Sequence, residues 1–189
     1  QSLSFVRDTT APSFDSASTQ AVNENVASGS WVYTAAASDA NGGLTYSLKT
    51  GASDDAAKFA IDAGSGQVSL LQVPDYESGK TGYSFTVVAS DLAGNRAEQQ
   101  VSLSVNDLND HAPVFTSGAT STVAENAAIS TVVYTAVATD VDVGQTRTYS
   151  LSGTDAASFV INANTGEVTL KVSANYVAKA SYSFSVIAT

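Results

Sequence analysis

The sequence predicts an all-β protein made of two tandem antiparallel β-sandwiches, and three observations support this fold class. The segment Ala11-Pro12-Ser13-Phe14 recurs as Ala112-Pro113-Val114-Phe115, 101 positions later (112 − 11). Apolar and polar residues alternate from Tyr83 to Ser90, the period of two that is typical of strands. No segment shows sustained helical periodicity. Short alternating strands with regular turn signals favour an antiparallel sandwich.

The strands of each repeat are indicated by matched segments. In repeat 1, Val101, Leu103 and Val105 alternate with polar residues and predict its last strand. The turns at Gly66 and Gly166 each precede a strand, as expected for hairpin loops. Matched segments are Val32-Tyr33-Thr34-Ala35 with Val133-Tyr134-Thr135-Ala136, Tyr46-Ser47-Leu48 with Tyr149-Ser150-Leu151, Phe59-Ala60-Ile61-Asp62 with Phe159-Val160-Ile161-Asn162, and Tyr83-Ser84-Phe85 with Tyr182-Ser183-Phe184.

The repeat spacing predicts the domain boundaries. Residues 10–108 form repeat 1 and residues 109–189 form repeat 2. Residues 1–9 read as the last strand and linker of a preceding repeat, because Ser2-Leu3-Ser4-Phe5 resembles Ser102-Leu103-Ser104-Val105. Repeat 2 is expected to lack its last strand and to expose a sheet edge. One hypothesis is that the first strand of another molecule fills that edge; the alternative is a trimmed fragment, or further residues beyond Thr189.

The composition excludes several functions. There are 18 Asp plus Glu against 8 Lys plus Arg, a net charge of −10, with no cysteine and one histidine. So acidic a chain is a poor partner for nucleic acid. Without cysteine there are no disulfides and no thiol chemistry. No apolar run approaches the roughly 20 residues of a membrane helix, so we expect no membrane insertion in this fragment. Hard carboxylates instead suggest Ca²⁺ as a partner, since calcium takes oxygen ligands.

The carboxylates are grouped at particular points of the chain. Glu24 lies between two asparagines just before the first long strand, and Asp75-Tyr76-Glu77 places two carboxylates at i and i+2. Asp140-Val141-Asp142 has the same spacing in repeat 2. The segment from Asp107 to Phe115 joins the repeats and carries further acids. Like charges brought together repel, so such groups need a cation or separation.

These residues resemble the cadherin repeats. Asp107-Leu108-Asn109-Asp110-His111-Ala112-Pro113-Val114-Phe115 is similar to the Asp-x-Asn-Asp-x-Ala-Pro-x-Phe signature of that family, and the other acidic motifs follow in its order. The resemblance implies cadherin-like, immunoglobulin-like Greek-key sandwiches of seven strands, with up to three Ca²⁺ between successive domains. The implied ligands are Glu24, Asp75, Glu77, Asp107, Asn109, Asp110, His111 (through its backbone carbonyl), Asp140 and Asp142.

The sequence departs from the family pattern at both outer ends. Repeat 2 has Asn175-Tyr176-Val177 where repeat 1 has Asp75-Tyr76-Glu77, so we expect weak or no calcium binding there. A further aspartate of the family aligns just past Thr189. At the other end of repeat 1, Asp39, Asn41 and Asp91 match ligand positions of a half-site. That half-site is expected to be empty or to hold one weakly bound ion.

The predicted function is a calcium-dependent adhesion module of an extracellular or cell-surface protein. Another copy of the chain, another surface protein and a glycan all stay open as partners, and a carbohydrate-binding module is the alternative function. An enzyme is not expected, because the acids lie at domain ends with no nucleophile motif. Trp31 is expected to pack, and packing is also expected for the tyrosines that recur at matched positions, Tyr33, Tyr46, Tyr134 and Tyr149. The composition resembles a bacterial-type surface adhesin more than a vertebrate cadherin.

Overall fold

The structure is a computed structural model that describes residues 7–51 and 54–189. Contacts divide the chain between Leu108 and Asn109 into two compact units, called unit 1 and unit 2 below. The strand predicted within residues 1–6 lies outside the described residues, and the assignment of residues 1–9 to a preceding repeat stays a prediction. Among the residues that the structure describes, none of the helices has the length and apolar character needed to cross a membrane.

Unit 1 is built from two facing sheets and a short two-stranded one. The larger sheets have the strand orders β2-β9-β8-β5 and β3-β7-β6, and β1 pairs with β4. All of these described pairs are antiparallel except β2 with β9, which run parallel. The strands are β1 (Ser13–Phe14), β2 (Thr19–Asn23), β3 (Trp31–Thr34), β4 (Ala37–Ser38), β5 (Thr45–Leu48), β6 (Phe59–Ile61), β7 (Gln67–Leu70), β8 (Gly82–Ser90) and β9 (Arg96–Asn106), with a 3₁₀ helix at Ala56–Lys58.

The core of unit 1 lies between its two larger sheets. The alternation predicted for β8 is confirmed, because its inward-facing positions, including Tyr83 and Phe85, are buried. The ring of Phe85 packs on Phe59 of the facing sheet, with the ring centroids 4.4 Å apart. Strand β9 closes the same core, and its residues Val101 and Leu103 are fully buried. Burial of these apolar faces is the main favourable contribution to the fold.

Unit 2 repeats this arrangement with fewer paired residues. Its sheets have the orders β11-β15-β14, β13-β16 and β10-β12, all antiparallel. Phe159 packs on Phe184 with centroids 4.6 Å apart, as Phe59 packs on Phe85 in unit 1. The strands are β10 (Val114–Phe115), β11 (Val132–Thr135), β12 (Ala138–Thr139), β13 (Tyr149–Ser152), β14 (Phe159–Ile161), β15 (Glu167–Leu170) and β16 (Ser185–Ala188), with a 3₁₀ helix at Ala156–Ser158.

The two units differ most at the position that β9 occupies between β2 and β8 in unit 1. Within residues 109–189, all of which the structure describes, no strand takes that position. Residues 120–124, which align with β2, form no strand either. A strand is held by hydrogen bonds to its neighbour. A segment that lacks this neighbour has no backbone partners to keep it in a paired, extended conformation.

The recurring tyrosines pack as predicted, whereas the tryptophan does not. Tyr33 and Tyr149 are buried, which confirms that they pack. Trp31 is 70 % exposed, so the expected packing is wrong. It begins β3, an edge strand, where the register shifts between Trp31 and Tyr33. That irregularity allows Val32 and Tyr33 both to face the core, and the indole is left in solvent.

Candidate metal centres

The lower end of unit 1 is organised around the buried carboxylate of Glu24. Asn25 has a φ of 61°, a left-handed conformation that asparagine tolerates better than most residues. Its N–H donates to the carbonyl of Pro74 at 2.9 Å, and the N–H of Glu24 donates to the carbonyl of Asn106 at 3.1 Å. This turn at the end of β2 sends the side chain of Glu24 inward, and the residue is only 2 % exposed.

Two backbone N–H groups fix the Glu24 carboxylate. Tyr76 donates to Oε2 at 2.8 Å, and Leu108 donates to Oε1 at 2.7 Å. Hydrogen bonds to the charged form favour ionisation and offset the cost of burial. One carboxylate thus ties the 74–77 segment to the residue that follows β9, and it remains available as an oxygen donor.

Glu24, Glu77 and Asp107 form a cluster of three carboxylates at this end. Each offers an oxygen that lies within 4.8 Å of the others. Burial raises the pKa of Glu77, and the nearby carboxylates of Glu24 and Asp107 raise it further. Grouped negative charges of this kind disfavour full ionisation unless a cation neutralises them. The all-oxygen donor set fits a hard divalent cation such as Ca²⁺, which could be held by these three residues.

Asp75, also predicted as a ligand, lies outside this cluster. Its Oδ1 accepts the N–H of Ser78 at 2.9 Å, and its carbonyl accepts the Ser78 hydroxyl at 2.6 Å. Asp75 therefore caps the turn after Pro74. Glu77, two positions later, has its carboxylate in the cluster.

The upper end of unit 2 gathers Asp110, His111 and Asp142. Asp142 is 4 % exposed, and its Oδ2 accepts the backbone N–H of His111 at 2.9 Å. The Nδ1 atom of His111 lies 3.1 Å from Oδ1 of Asp142 and 2.6 Å from Oδ1 of Asp110. Burial lowers the pKa of His111, but the two carboxylates outweigh it and raise the pKa above its ordinary value. A positive charge is stabilised at this position.

The other two residues predicted at this end have different surroundings. Asp140 accepts the N–H of Asp142 through Oδ1 at 3.2 Å, which shapes the loop after β12. Asn109 is exposed. The structure therefore groups three of the five predicted residues of unit 2, and the ligand roles of all five stay predictions.

The upper end of unit 1 holds a second cluster of carboxylates. Asp8, Asp39 and Asp91 place oxygens within 4.8 Å of one another. Burial raises the pKa of Asp91, but the side-chain amide and backbone N–H of Asn95, at 2.7 and 2.8 Å, bring the net shift below the usual value. Oδ2 of Asp39 is buried and has no hydrogen-bond partner among the described residues. An unpaired buried carboxylate oxygen is costly, so this donor set also fits a cation.

Asp8 was not predicted as a ligand from the sequence, unlike Asp39, Asn41 and Asp91. The Nδ2 atom of Asn41 donates to Oδ2 of Asp8 at 2.7 Å, which draws the two side chains together. The signal was in the repeat, because Asp8 aligns with Asn109 at the same spacing of 101.

The lower end of unit 2 lacks the arrangement found in unit 1. Glu125 aligns with Glu24 and follows the same turn, with Asn126 at a φ of 61°, but it is exposed. Oδ1 of Asn175 accepts the N–H groups of Val177 and Ala178 at 3.0 and 3.1 Å. An amide and a valine thus replace the two acids, and weak or no calcium binding at this end stays a prediction.

Two β-sandwich units with acidic clusters at their ends define a class of tandem repeat module, and comparison with known families identifies it. Residues 18–106 match the family model of the cadherin domain, and this part of the chain is a cadherin domain. The likeness to mouse cadherin-23 is 38 % identity over 168 residues, which is 84 % of this chain. Human protocadherin Fat 4 is 32 % identical over 171 residues. The chain spans about 5 % and 3 % of the length of these two relatives.

Solved structures give the same assignment of the fold. The crystal structure of mouse cadherin-23 EC22-24 has a TM-score of 0.79 and 30 % identity, covering 94 % of this chain and 59 % of that one. Human protocadherin-24 EC1-2 has a TM-score of 0.77 and 26 % identity, covering 95 % and 93 %. The fold is thus the predicted cadherin-like β-sandwich. These relatives are animal proteins and give no support to the expected bacterial-type source.

Proposed function

We propose that the chain is a calcium-binding adhesion module of an extracellular or cell-surface protein, in which Ca²⁺ stiffens the succession of repeats. The observation that supports this proposal is the cluster of Glu24, Glu77 and Asp107. The buried carboxylate of Glu24 has an oxygen within 4.8 Å of an oxygen of each of the other two. A bound Ca²⁺ would supply the positive charge that this donor set needs, since calcium takes six to eight oxygen ligands.

The order of the donors along the chain supports a role at the junction. Asp107 and Asp110 stand on either side of the division between Leu108 and Asn109. We propose that ligands from both units share one group of ions, so that calcium limits hinging at the linker. The proposed ligands are Glu24, Asp75, Glu77, Asp107, Asn109, Asp110, His111, Asp140 and Asp142.

The first test is calcium binding by the 189-residue chain. Titration calorimetry after chelation is expected to give dissociation constants of about 10⁻⁴ to 10⁻³ M, the range of extracellular calcium modules. Glu77→Gln and Asp107→Asn should each weaken binding by at least about tenfold, which corresponds to about 1.4 kcal/mol. The matched control is Glu98→Gln, because Glu98 is a half-exposed residue paired with Lys49 on the surface.

Scattering measures the stiffening directly. The maximum dimension and flexibility of the chain in solution should differ between calcium and chelator, and Glu77→Gln should reduce that difference. No heat of binding and no change of shape with calcium would overturn the proposal. A Glu98→Gln variant that loses calcium as strongly as Glu77→Gln would contradict the assigned ligands.

Carbohydrate binding, the alternative from sequence, finds no support in the comparisons. The exposed Trp31 alone does not make a sugar site. We therefore propose adhesion through protein surfaces, with a second copy or another surface protein as the partner, and we propose no catalytic activity.

A further inference from the structure

The loop between β4 and β5 carries the dipeptide Asn41-Gly42, and Asn41 is the only asparagine of the sequence that glycine follows. In such a dipeptide, the backbone nitrogen of the second residue can close a short ring onto Cγ of the asparagine. Most residues bring a Cβ that hinders this approach, whereas glycine brings none and has a freer backbone. The sequence therefore favours attack of the backbone on a side-chain amide at this position.

The turn at Asn41 leaves both reacting groups accessible. Asn41 is exposed, and its N–H donates to Oδ1 of Asp39 at 2.9 Å. The N–H of Gly42 donates to the carbonyl of Asp39 at 3.3 Å, which is longer than the common length of about 2.9–3.0 Å. A Cβ added at Gly42 would meet no described atom within 4 Å. The attacking nitrogen is therefore weakly held and has room to move.

The side-chain amide of Asn41 contacts the cluster of Asp8, Asp39 and Asp91, called the upper cluster below. Nδ2 of Asn41 donates to Oδ2 of Asp8 at 2.7 Å. The three carboxylates already place oxygens within 4.8 Å of one another. An ionised carboxylate only accepts hydrogen bonds, whereas an amide nitrogen donates them. Conversion of this amide to an acid would therefore replace a hydrogen bond with two like charges that repel.

A second asparagine at the same end makes the same kind of contact in a different sequence. Nδ2 of Asn95 donates to Oδ2 of Asp91 at 2.7 Å, the same distance as at Asn41. The residue that follows Asn95 is Arg96, which begins β9 and pairs with Ser90 of β8. Its nitrogen belongs to a strand, and its Cβ hinders the approach to Cγ. The residue that follows thus distinguishes the two asparagines.

We propose that Asn41 is a site of spontaneous deamidation, which adds a negative charge to the upper cluster. The nitrogen of Gly42 attacks Cγ of Asn41, and the new C–N bond closes a succinimide ring. The bond from Cγ to Nδ2 breaks, and Nδ2 leaves as ammonia with the proton that Gly42 gives up. Water then opens the ring at either of its carbonyl groups and leaves aspartate or isoaspartate. Water is the only co-reactant, and nothing is oxidised or reduced.

The product changes the upper end of unit 1 in two ways. The formal charge of the chain falls from −10 to −11 (−10 − 1), and the new carboxylate replaces the amide that donated to Asp8. In isoaspartate the main chain also runs through the former side chain, so the loop gains a methylene group. No step restores the amide, so this end becomes more negative as the chain ages. The proposal goes beyond calcium binding, since no ion takes part in the reaction.

Peptide mapping by mass spectrometry tests the site in the intact 189-residue chain. The folded chain is incubated at neutral pH in chelator, and the peptide that contains Asn41 should gain about 1 Da with time as the amide becomes an acid. Conversion at Asn41 should be at least about tenfold faster than at Asn95, because glycine does not follow Asn95. The matched variant is Asn41→Gln, which keeps an amide but would have to close a larger and slower ring.

Both aspartate and isoaspartate are expected as products, and fragmentation of the main chain in the mass spectrometer separates them. Their joint appearance identifies the ring, since direct hydrolysis of the amide gives aspartate alone. Equal rates of conversion at Asn41 and Asn95 in the folded chain would overturn the proposal. A chain that reacts in urea while the folded chain stays unmodified over the same period would also overturn it, because the turn would then protect the amide.

The variant Asn41→Asp reproduces the charge of the product and tests its effect on the upper cluster. In chelator at low salt, urea should unfold this variant at a lower midpoint than Asn41→Ala, which removes the amide contact but adds no charge. The difference should narrow at high salt, because screening weakens the repulsion between exposed carboxylates. Equal midpoints for the two variants at low salt would contradict the added repulsion.

Discussion

At the residue scale, Asp55 and Asp155 have the same role in the two units. Oδ2 of Asp55 accepts the N–H of Ser84 at 3.0 Å and the ammonium of Lys80 at 3.0 Å. Oδ2 of Asp155 accepts the N–H of Ser183 at 2.7 Å, and its Oδ1 pairs with Lys179. Each carboxylate thus ties the start of a 3₁₀ helix to aligned backbone positions, Ser84 of β8 in unit 1 and Ser183 in unit 2.

The pKa of Asp55 makes this contact dependent on pH. Burial raises that pKa, but hydrogen bonds from Lys80, Ser84 and Lys58 outweigh it and lower the pKa below 3.8. A carboxyl with a lowered pKa in the folded state contributes stability above its unfolded pKa and loses it as the pH falls. The contribution is therefore present at pH 7 and is lost progressively as the pH falls from about 3.8, the ordinary pKa of aspartate, through the lowered pKa of the folded state.

Asp55→Asn should lower the free energy of unfolding at pH 7 by about 1–3 kcal/mol, the usual range for hydrogen bonds to charged groups. Urea unfolding at pH 7 and at pH 3 measures this, and the gap between variant and parent should narrow at the lower pH. Asp15→Asn is the control, since Asp15 is exposed. A gap that stays constant with pH would contradict the charged contact.

The candidate site was predicted from sequence to the extent that its residues follow a repeated motif. Glu24 and Glu77 were both named as ligands because their motifs lie at fixed places in the repeat; the structure brings their carboxylates together, and their ligand roles stay a prediction. The different positions of Asp75 and Glu77, of which only Glu77 lies in the cluster, were not predictable. They depend on which of the two carboxylates accepts the N–H of Ser78 and caps the turn. Asp55 was missed because its partners, Lys80 and Ser84, are distant in sequence and carry no local signal.

At the element scale, the two hairpin turns at Gly66 and Gly166 depend on glycine. Gly66 has a φ of +72°, and a Cβ there would lie 2.3 Å from the carbonyl oxygen of Ala35. Gly166 has a φ of +73°, and a Cβ would lie 2.2 Å from the carbonyl oxygen of Ala136. The same turn packs against the same backbone in each unit, so both glycines are required for conformation and for space.

Gly66→Ala should destabilise unit 1 by more than about 1 kcal/mol, because alanine meets both a positive φ and a backbone atom that has little freedom to move. Gly64→Ala, two residues earlier in the same turn, is the control: its Cβ would lie 3.6 Å from the nearest atom, an ordinary contact. Denaturant midpoints for both variants compare the two positions. Equal losses would mean that the turn tolerates a side chain at Gly66.

The strands were predictable from the sequence where apolar and polar residues alternate strongly. They were less predictable where the formation of a strand depends on its pairing with a neighbouring strand. The apolar alternation of β8 and β9 identified both strands because one face of each is buried. The parallel pairing of β2 with β9 was not predicted, since the sequence of β2 carries no mark of its partner's direction. Residues 120–124 resemble β2 in sequence and still form no strand. A segment with the sequence pattern of β2 therefore forms a strand only where a neighbouring strand is present to pair with it.

At the scale of the whole molecule, the two units are unequal in the closure of their cores. Phe85 is fully buried between two sheets, while the aligned Phe184 is half-buried. Apolar burial is roughly proportional to the area removed from water, so unit 2 gains less from its core. We expect unit 2 to open at a lower free energy than unit 1.

Hydrogen exchange followed by mass spectrometry checks this expectation unit by unit. Backbone amides of β16 should exchange faster than those of β8 under conditions where the chain is folded. Phe85→Ala should cost about 3–5 kcal/mol, and Phe184→Ala should cost clearly less, because less contact is lost. Equal protection of β8 and β16 in dilute solution would show that the core of unit 2 is closed.

The parallel pair of β2 and β9 has a mechanical consequence for unit 1. A force that draws the two ends of this unit apart pulls β2 towards its start and β9 towards its end. The strands are then sheared lengthwise, and the pairs from Thr19 with Ser102 to Asn23 with Asn106 carry the load together. Glu24 and Leu108, joined by a hydrogen bond, continue this connection just beyond both strands. The same buried carboxylate that offers oxygens to a cation thus lies at the end of the tension-bearing part of the unit.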